Sequence, residues 1–164
     1  MQFTKKFGIT DPNIEFFDIN IHGDTKKFVD PYCISQTPTP TGIASQKSIN
    51  YFMRELLTSI QNHADTRSSY LCSRFNEPNG TRLGYSKIRL DGSGAGEHLA
   101  ALFLQELKRV RHLIKNGIFN YLEECSFLCD ELKFDRISDI TIDIIKFPLI
   151  NFTQEQCPKH GISM

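Results

Sequence analysis

No apolar run in this sequence approaches the ~18 residues that mark a membrane-spanning helix. Met1 to Lys6 also lacks the apolar segment of a secretion signal. Excess charge of either sign is missing too, because nineteen Lys and Arg balance nineteen Asp and Glu. Without surplus positive charge, histone-like binding driven by general counterion release is excluded, while a local basic face is not. There is no tryptophan against thirteen phenylalanines, a bias that carries no functional reading. The cysteines are five, an odd number that argues against a fully paired disulfide framework. With no secretion signal, reduced thiols and a cytoplasmic location are expected. No internal repeat is visible.

What is present is an ordinary globular composition. At 164 residues, with 40% hydrophobic and 23% charged side chains, the chain is expected to form a single domain over 1–164 with a substantial core. Ile14 to His22 alternates Phe17, Ile19 and Ile21 with polar residues, the pattern of a half-buried strand. After a turn at Gly23-Asp24, Lys27 to Tyr32 reads as a second extended piece, so a small β ribbon is expected. Gln36 to Gly42 reads as a linker, and Ser45 as the cap of a helix running to about His63 with Ile49, Phe52, Met53, Leu56, Leu57 and Ile60 on its apolar stripe. Ala64 to Arg74 reads as a polar turn with a short helix or strand.

A second helix is expected over Glu97 to Lys115, ended by Asn116-Gly117. Lys108, Arg111, His112 and Lys115 would then form one basic stripe. Ile118 to Cys129 reads as a shorter third helix. From Ser138 or Asp139 to about Gln156, Ile140, Ile142 and Ile144 alternate as in a strand, while Ile137, Ile140, Ile144 and Phe147 recur as in a helix. Helix is favoured, with a kink or early stop at Pro148.

The stretch from Phe75 to Gly96 holds five of the ten glycines and separates the two helical regions. Glycine lets a backbone approach a ligand, so this stretch is expected to form one wall of a site. Gly92-Ser93-Gly94-Ala95-Gly96 opens a helix as anion-binding loops do, although neither a Walker A loop nor a dinucleotide fingerprint is present. Arg82, with Tyr85 and Ser86 nearby, can grip a phosphate through its planar fork or pair with Glu77 and lock the loop. It is expected at a concave surface within reach of the glycine loop, Asp30 or Asp135.

Two further constellations offer chemistry. Asp30, Glu77, Asp135 and Asp139 are candidate catalytic carboxylates, and Glu131-Leu132-Lys133 matches the Glu-x-Lys end of metal-dependent nuclease cores, although on a helix end rather than a strand. Asp135 and Asp139 also suit helix starts, where negative charge is favourable. Cys125 and Cys129, with Cys157 and His160, have spacings that zinc sites use, and equally those of buried reduced thiols.

At Phe28-Val29-Asp30-Pro31, Phe75 to Ser86, Asp135 to Thr141 and Thr153 to Ile162, the chain resembles the N-terminal part of an uncharacterised bacterial protein family. The resemblance covers most of the chain and brings no activity. It implies a setting in phage-defence or mobile-element loci, and a chain that is the N-terminal portion of a longer architecture. Pro148 departs from the unbroken helix expected there.

Together these features predict an α-rich α+β fold, a small N-terminal β ribbon packed on a bundle of about four helices. The expected function is a non-catalytic binding module that recognises nucleic acid or a nucleotide through Arg82, Tyr85, Ser86, Gly92, Ser93, Gly94, Lys108, Arg111 and Lys115. Alternatives are a metal-dependent nuclease or phosphoesterase and a structural protein–protein subunit. No cofactor is expected unless the nuclease reading brings a divalent metal. A protein partner or homo-oligomer is expected, and no membrane.

Overall fold

The computed structural model describes residues 1–23, 25, 27–75, 83 and 95–163, and their regular structure is helical. In chain order come α1 (Phe3–Phe7), α2 (Pro31–Ser35), α3 (Pro40–Gln61), α4 (Asp65–Cys72), α5 (Ala95–Arg109) and α6 (Arg111–Lys115). A 3₁₀ turn at Leu122–Glu124 leads into α7 (Cys125–Leu128), α8 (Phe134–Ile144) and α9 (Lys146–Lys159). No helix among the described residues is long and apolar enough to cross a membrane.

The expected β ribbon is absent, and the fold is all-α rather than α+β. Extended pairing among the described residues is confined to isolated bridges, Gln2 with Asn20 and Thr25 with Leu83. The alternating segment satisfies its polar groups against the N-terminus instead. Phe3 N donates to Ile19 O (2.9 Å), Ile21 N to Met1 O (3.0 Å), and the Asp18 carboxylate accepts from Thr4 N and Oγ1 (3.0 and 2.8 Å). Its burial does not follow the alternation either: Phe17 is exposed, whereas Phe16 packs edge-on against Phe3 and His160. The second expected strand is a helix start. Asp30 is extended, as a residue before proline should be, and its carboxylate accepts from Tyr32 N (2.9 Å), with Pro31 at the first helical position of α2.

Helix α3 is the hub of the molecule. It packs against α2, α4, α6, α8 and α9. Ile49, Met53, Leu56, Leu57 and Ile60 are buried at the expected i, i+4, i+7, i+8, i+11 spacing. Phe103 and Leu107 of α5, Ile114 of α6, Phe119, Leu122, and Ile137 and Ile140 of α8 complete the core around them. The helix begins earlier than Ser45, which is buried inside it. Thr39 is the cap, accepting from Gly42 N (3.1 Å), and Pro40 takes the first helical position, where its missing N–H costs nothing.

Two other helices are divided where one was expected. The helix after residue 95 breaks at Val110, so α5 and α6 are separate. The last helix breaks at Ile145, just ahead of Pro148, which lacks the N–H that would extend α8 onward. Residues 140–150 are therefore helical on both sides of that break. The predicted stop at Gly117 is a Schellman motif, with Gly117 at φ 69, Gly117 N on Ile114 O and Ile118 N on Leu113 O (3.0 and 2.9 Å).

Candidate ligand-binding trough along α3

The face of α3 turned away from the core carries Gln46, Lys47, Asn50, Arg54, Thr58 and Gln61, close to i, i+4, i+7 spacing. Two adjoining hollows run along it, of about 400 and 290 Å³, and share Asn50. The first lies between α3 and the α2–α3 turn, walled by Ile34 to Pro38. That wall is close because residue 42 is glycine: a Cβ there would come within 2.3 Å of Thr37 O. The second is floored by Leu57, Ile114 and Phe119 and edged by Asn120 and Tyr121. The left-handed Gly117 turn is what brings residues 119–121 back against the end of α3.

Among the described residues, no carboxylate lines either hollow, and each hollow is lined by one cation. Lys47 and Arg54 are exposed, and neither has a carboxylate partner among the described residues. Seven residues apart on one helix, they sit ~10.5 Å apart along its axis. The Arg54 guanidinium lies over the Tyr51 ring, 5.4 Å from its centroid. Hydrogen bonds orient the neighbouring amides. Gln61 Nε2 donates to Ile114 O (3.0 Å) and Asn120 Nδ2 to Gly117 O (2.7 Å), so each turns its remaining amide oxygen away from that bond. Gln46 Nε2 donates to Asn50 Oδ1 (3.0 Å), and Gln46 Oε1 is buried without a partner among the described residues. Chemically the trough offers two point contacts for anions, amide groups for polar edges and the half-exposed Tyr121 ring for stacking.

None of the described residues singled out from sequence as site candidates lines the trough. Glu77, Arg82, Tyr85, Ser86, Gly92, Ser93 and Gly94 lie outside the described residues. The basic stripe is divided by the break at Val110, and two of its members are engaged: Lys108 Nζ meets Asp65 Oδ1 at 2.6 Å and Arg111 Nη1 meets His63 Nδ1 at 2.9 Å. Lys108 holds the Asp65 carboxyl below its ordinary range, first through the hydrogen bond and then through its charge. His112 and Lys115 stay exposed.

Among the acids, Asp30 caps α2, Asp130 pairs with Arg109 (3.2 Å) and Glu131 with Arg136 (3.6 Å). Asp135 is exposed in the first turn of α8, while Asp139 is half-buried inside that helix and not at its start. Glu131 to Lys133 form the turn before α8. Cys125 and Cys129 are buried as neighbours; the Cys125 thiol holds Cys129 below its ordinary value, while burial pushes Cys125 well up. His160 packs its ring on Phe16. No group of three or more His, Cys, Asp or Glu among the described residues is placed to hold a metal ion.

Sequence reasoning missed Lys47, Asn50, Arg54, Asn120 and Tyr121. One signal was available: Pro31 to Arg54 contains no Asp or Glu, an acid-free run in a chain otherwise balanced in charge.

No curated protein and no solved structure matches the chain. A family model does match it over residues 8–164, and the chain belongs to that family, described as a domain of unknown function (DUF8370).

Proposed function

We propose that this protein is a cytoplasmic, non-catalytic binding module that takes single-stranded nucleic acid along the α3 trough. The observation that carries the reading is the pairing of Lys47 and Arg54 in a trough where, among the described residues, neither cation has a carboxylate partner and no acidic side chain lines the walls. Phosphates would meet the two cations, and a base would stack on Tyr121 with its edge toward Gln61 and Asn120. Caps and ion pairs engage Asp30, Asp130 and Glu131, which favours binding over hydrolysis. In the setting that the sequence resemblance implies, the module serves a bacterial defence or mobile-element system.

The test is binding of labelled single-stranded DNA and RNA oligonucleotides across a salt series. Two phosphate contacts give a log–log salt slope of about −1.4. Lys47→Glu and Arg54→Glu should each weaken binding strongly, and Arg54→Lys should recover only part of it because the planar fork is lost. Lys115→Glu should leave binding unchanged. Dependence on Lys115 with indifference to Lys47 and Arg54 would return the site to the broken basic stripe. Absence of oligonucleotide binding would overturn the reading, and competition by free mononucleotide would reassign the trough to a small ligand.

A further inference from the structure

A second concave surface, of about 540 Å³, lies where α2, α7 and α8 meet, and its walls are Phe28, Val29, Tyr32, Phe127, Phe134 and Ile137. Its rings face water to an unusual degree: Phe127 is 83% exposed, Phe134 66%, Tyr32 56% and Phe28 38%. At the size of aromatic side chains these four residues together expose roughly 450 Å² of surface. Clustered exposed apolar side chains of this kind often mark interaction sites.

The groove is built rather than incidental. Val29 N donates to Ser138 Oγ of α8 (2.9 Å), Pro31 is buried, and Asp30 caps α2, so the Phe28–Tyr32 wall is fixed to both helices. Among the described residues, the charged side chains at its lining are the two acids Asp30 and Glu123, while outside the lining Lys133 and Asp135 stand exposed on either side of Phe134. Two copies joined face to face here would bring these carboxylates together, which disfavours self-pairing.

We propose that this groove docks an amphipathic segment of a partner protein, with large apolar side chains flanked by Lys or Arg. The apolar anchors would fill the space between Phe127, Phe134 and Tyr32, and the flanking cations would meet Asp30 and Glu123. Among the described residues this surface shares no lining residue with the α3 trough, so either can fail without the other.

Because the protein has no tryptophan, a short helical Leu/Lys peptide bearing one Trp reports its own binding by fluorescence. Saturable binding is expected, about tenfold weaker for the matching Leu/Glu peptide and weakened by salt. Phe127→Ser with Phe134→Ser should abolish it while leaving circular dichroism and thermal stability intact, since both rings are exposed. Glu123→Lys should weaken the Leu/Lys peptide selectively. No binding, equal binding of the two peptides, or binding indifferent to these variants would overturn the proposal. A concentration-dependent dimer lost in the double Phe variant would overturn it in favour of a second copy of this chain.

Discussion

Nδ1 of His63 lies 2.9 Å from Nη1 of Arg111 and joins the end of α3 to the start of α6 at a left-handed residue, φ 56. Guanidinium is a donor only, so Nδ1 accepts and the neutral ring carries its proton on Nε2. His63 closes a Schellman motif in which its N–H reaches Ile60 O (3.2 Å) and Ala64 N reaches Ser59 O (2.8 Å). Together with the Lys108–Asp65 pair, this corner withdraws two cations from the surface that the sequence pattern offered to nucleic acid.

The backbone at this corner is testable. A left-handed conformation costs an ordinary L residue ~1–2 kcal/mol, and β-branched residues are the worst suited. His63→Val should therefore destabilise the fold by about 2 kcal/mol in urea denaturation. His63→Gly should stay within about 1 kcal/mol, losing the Arg111 contact but relieving the backbone. Equal stability of the two variants would show that residue 63 is not left-handed.

Glycine inside a helix is normally worse than alanine by ~0.5–1 kcal/mol. Gly42→Ala should reverse that sign, because the new Cβ would meet Thr37 O at 2.3 Å and Thr37 Cβ at 2.9 Å. A loss of about 1–3 kcal/mol is expected from the overpacking. The same change should weaken oligonucleotide binding by pushing back the wall of the first hollow. A stabilised Gly42→Ala variant would mean that the α2–α3 turn does not lie against the helix.

Acid should loosen the attachment of the N-terminal segment to α9. The Glu15 carboxyl accepts from Lys159 Nζ (2.7 Å) and Gln156 Nε2 (2.6 Å), and these hold it below its ordinary value of 4.5, the Lys159 hydrogen bond being the larger cause. A carboxyl lowered in the folded state contributes stability that is present above 4.5 and lost as pH falls through the folded value. Glu15 is exposed, so the effect is small. A pH series of thermal melts should show wild type losing more stability than Glu15→Gln below that value. Parallel profiles would remove Glu15 from the account.

Thiol reactivity should sort the cysteines by environment. Cys33 is exposed, but the Asp30 carboxylate beside it raises its thiol above the ordinary value and depletes the reactive thiolate. Burial pushes Cys72 up to about 12. Alkylation at neutral pH should therefore reach Cys33 slowly and Cys72 only on unfolding. Asp30→Asn keeps a competent helix cap while removing the charge, so it should speed Cys33 labelling without changing the melting temperature. An unchanged rate would show that the carboxylate does not govern the thiol.

Local pattern carried much of the helical architecture. The apolar stripe from Ile49 to Ile60, the stop at Gly117 and the interruption near Pro148 were all legible, because each rests on neighbours within one or two turns or on a residue's own backbone limits. The N-terminal alternation was equally visible but misleading. Period two marks extended chain, while a strand also needs a partner at the right distance. Here Met1, Phe3 and Thr4 supply the hydrogen bonds that a second strand would have made. Asp30-Pro31 does mark extended backbone at Asp30, yet the same proline that blocks continuation of a helix also opens α2.

What the amino-acid sequence by itself determined is where the long apolar-striped helical segments lie and which of their faces are apolar, since propensity, capping and periodicity act over a few residues. Which charges remain available was decided only by the tertiary structure. Lys108 and Arg111 looked as free as Lys47 and Arg54, and the difference arises from the α3–α4 corner folding Asp65 and His63 onto the first pair. The α3 trough likewise exists only because Gly42 admits the preceding turn against α3 and Gly117 sends the chain back toward the end of that helix. Electrostatic pairing and concavity depend on distance through space, and only the packed chain sets that distance.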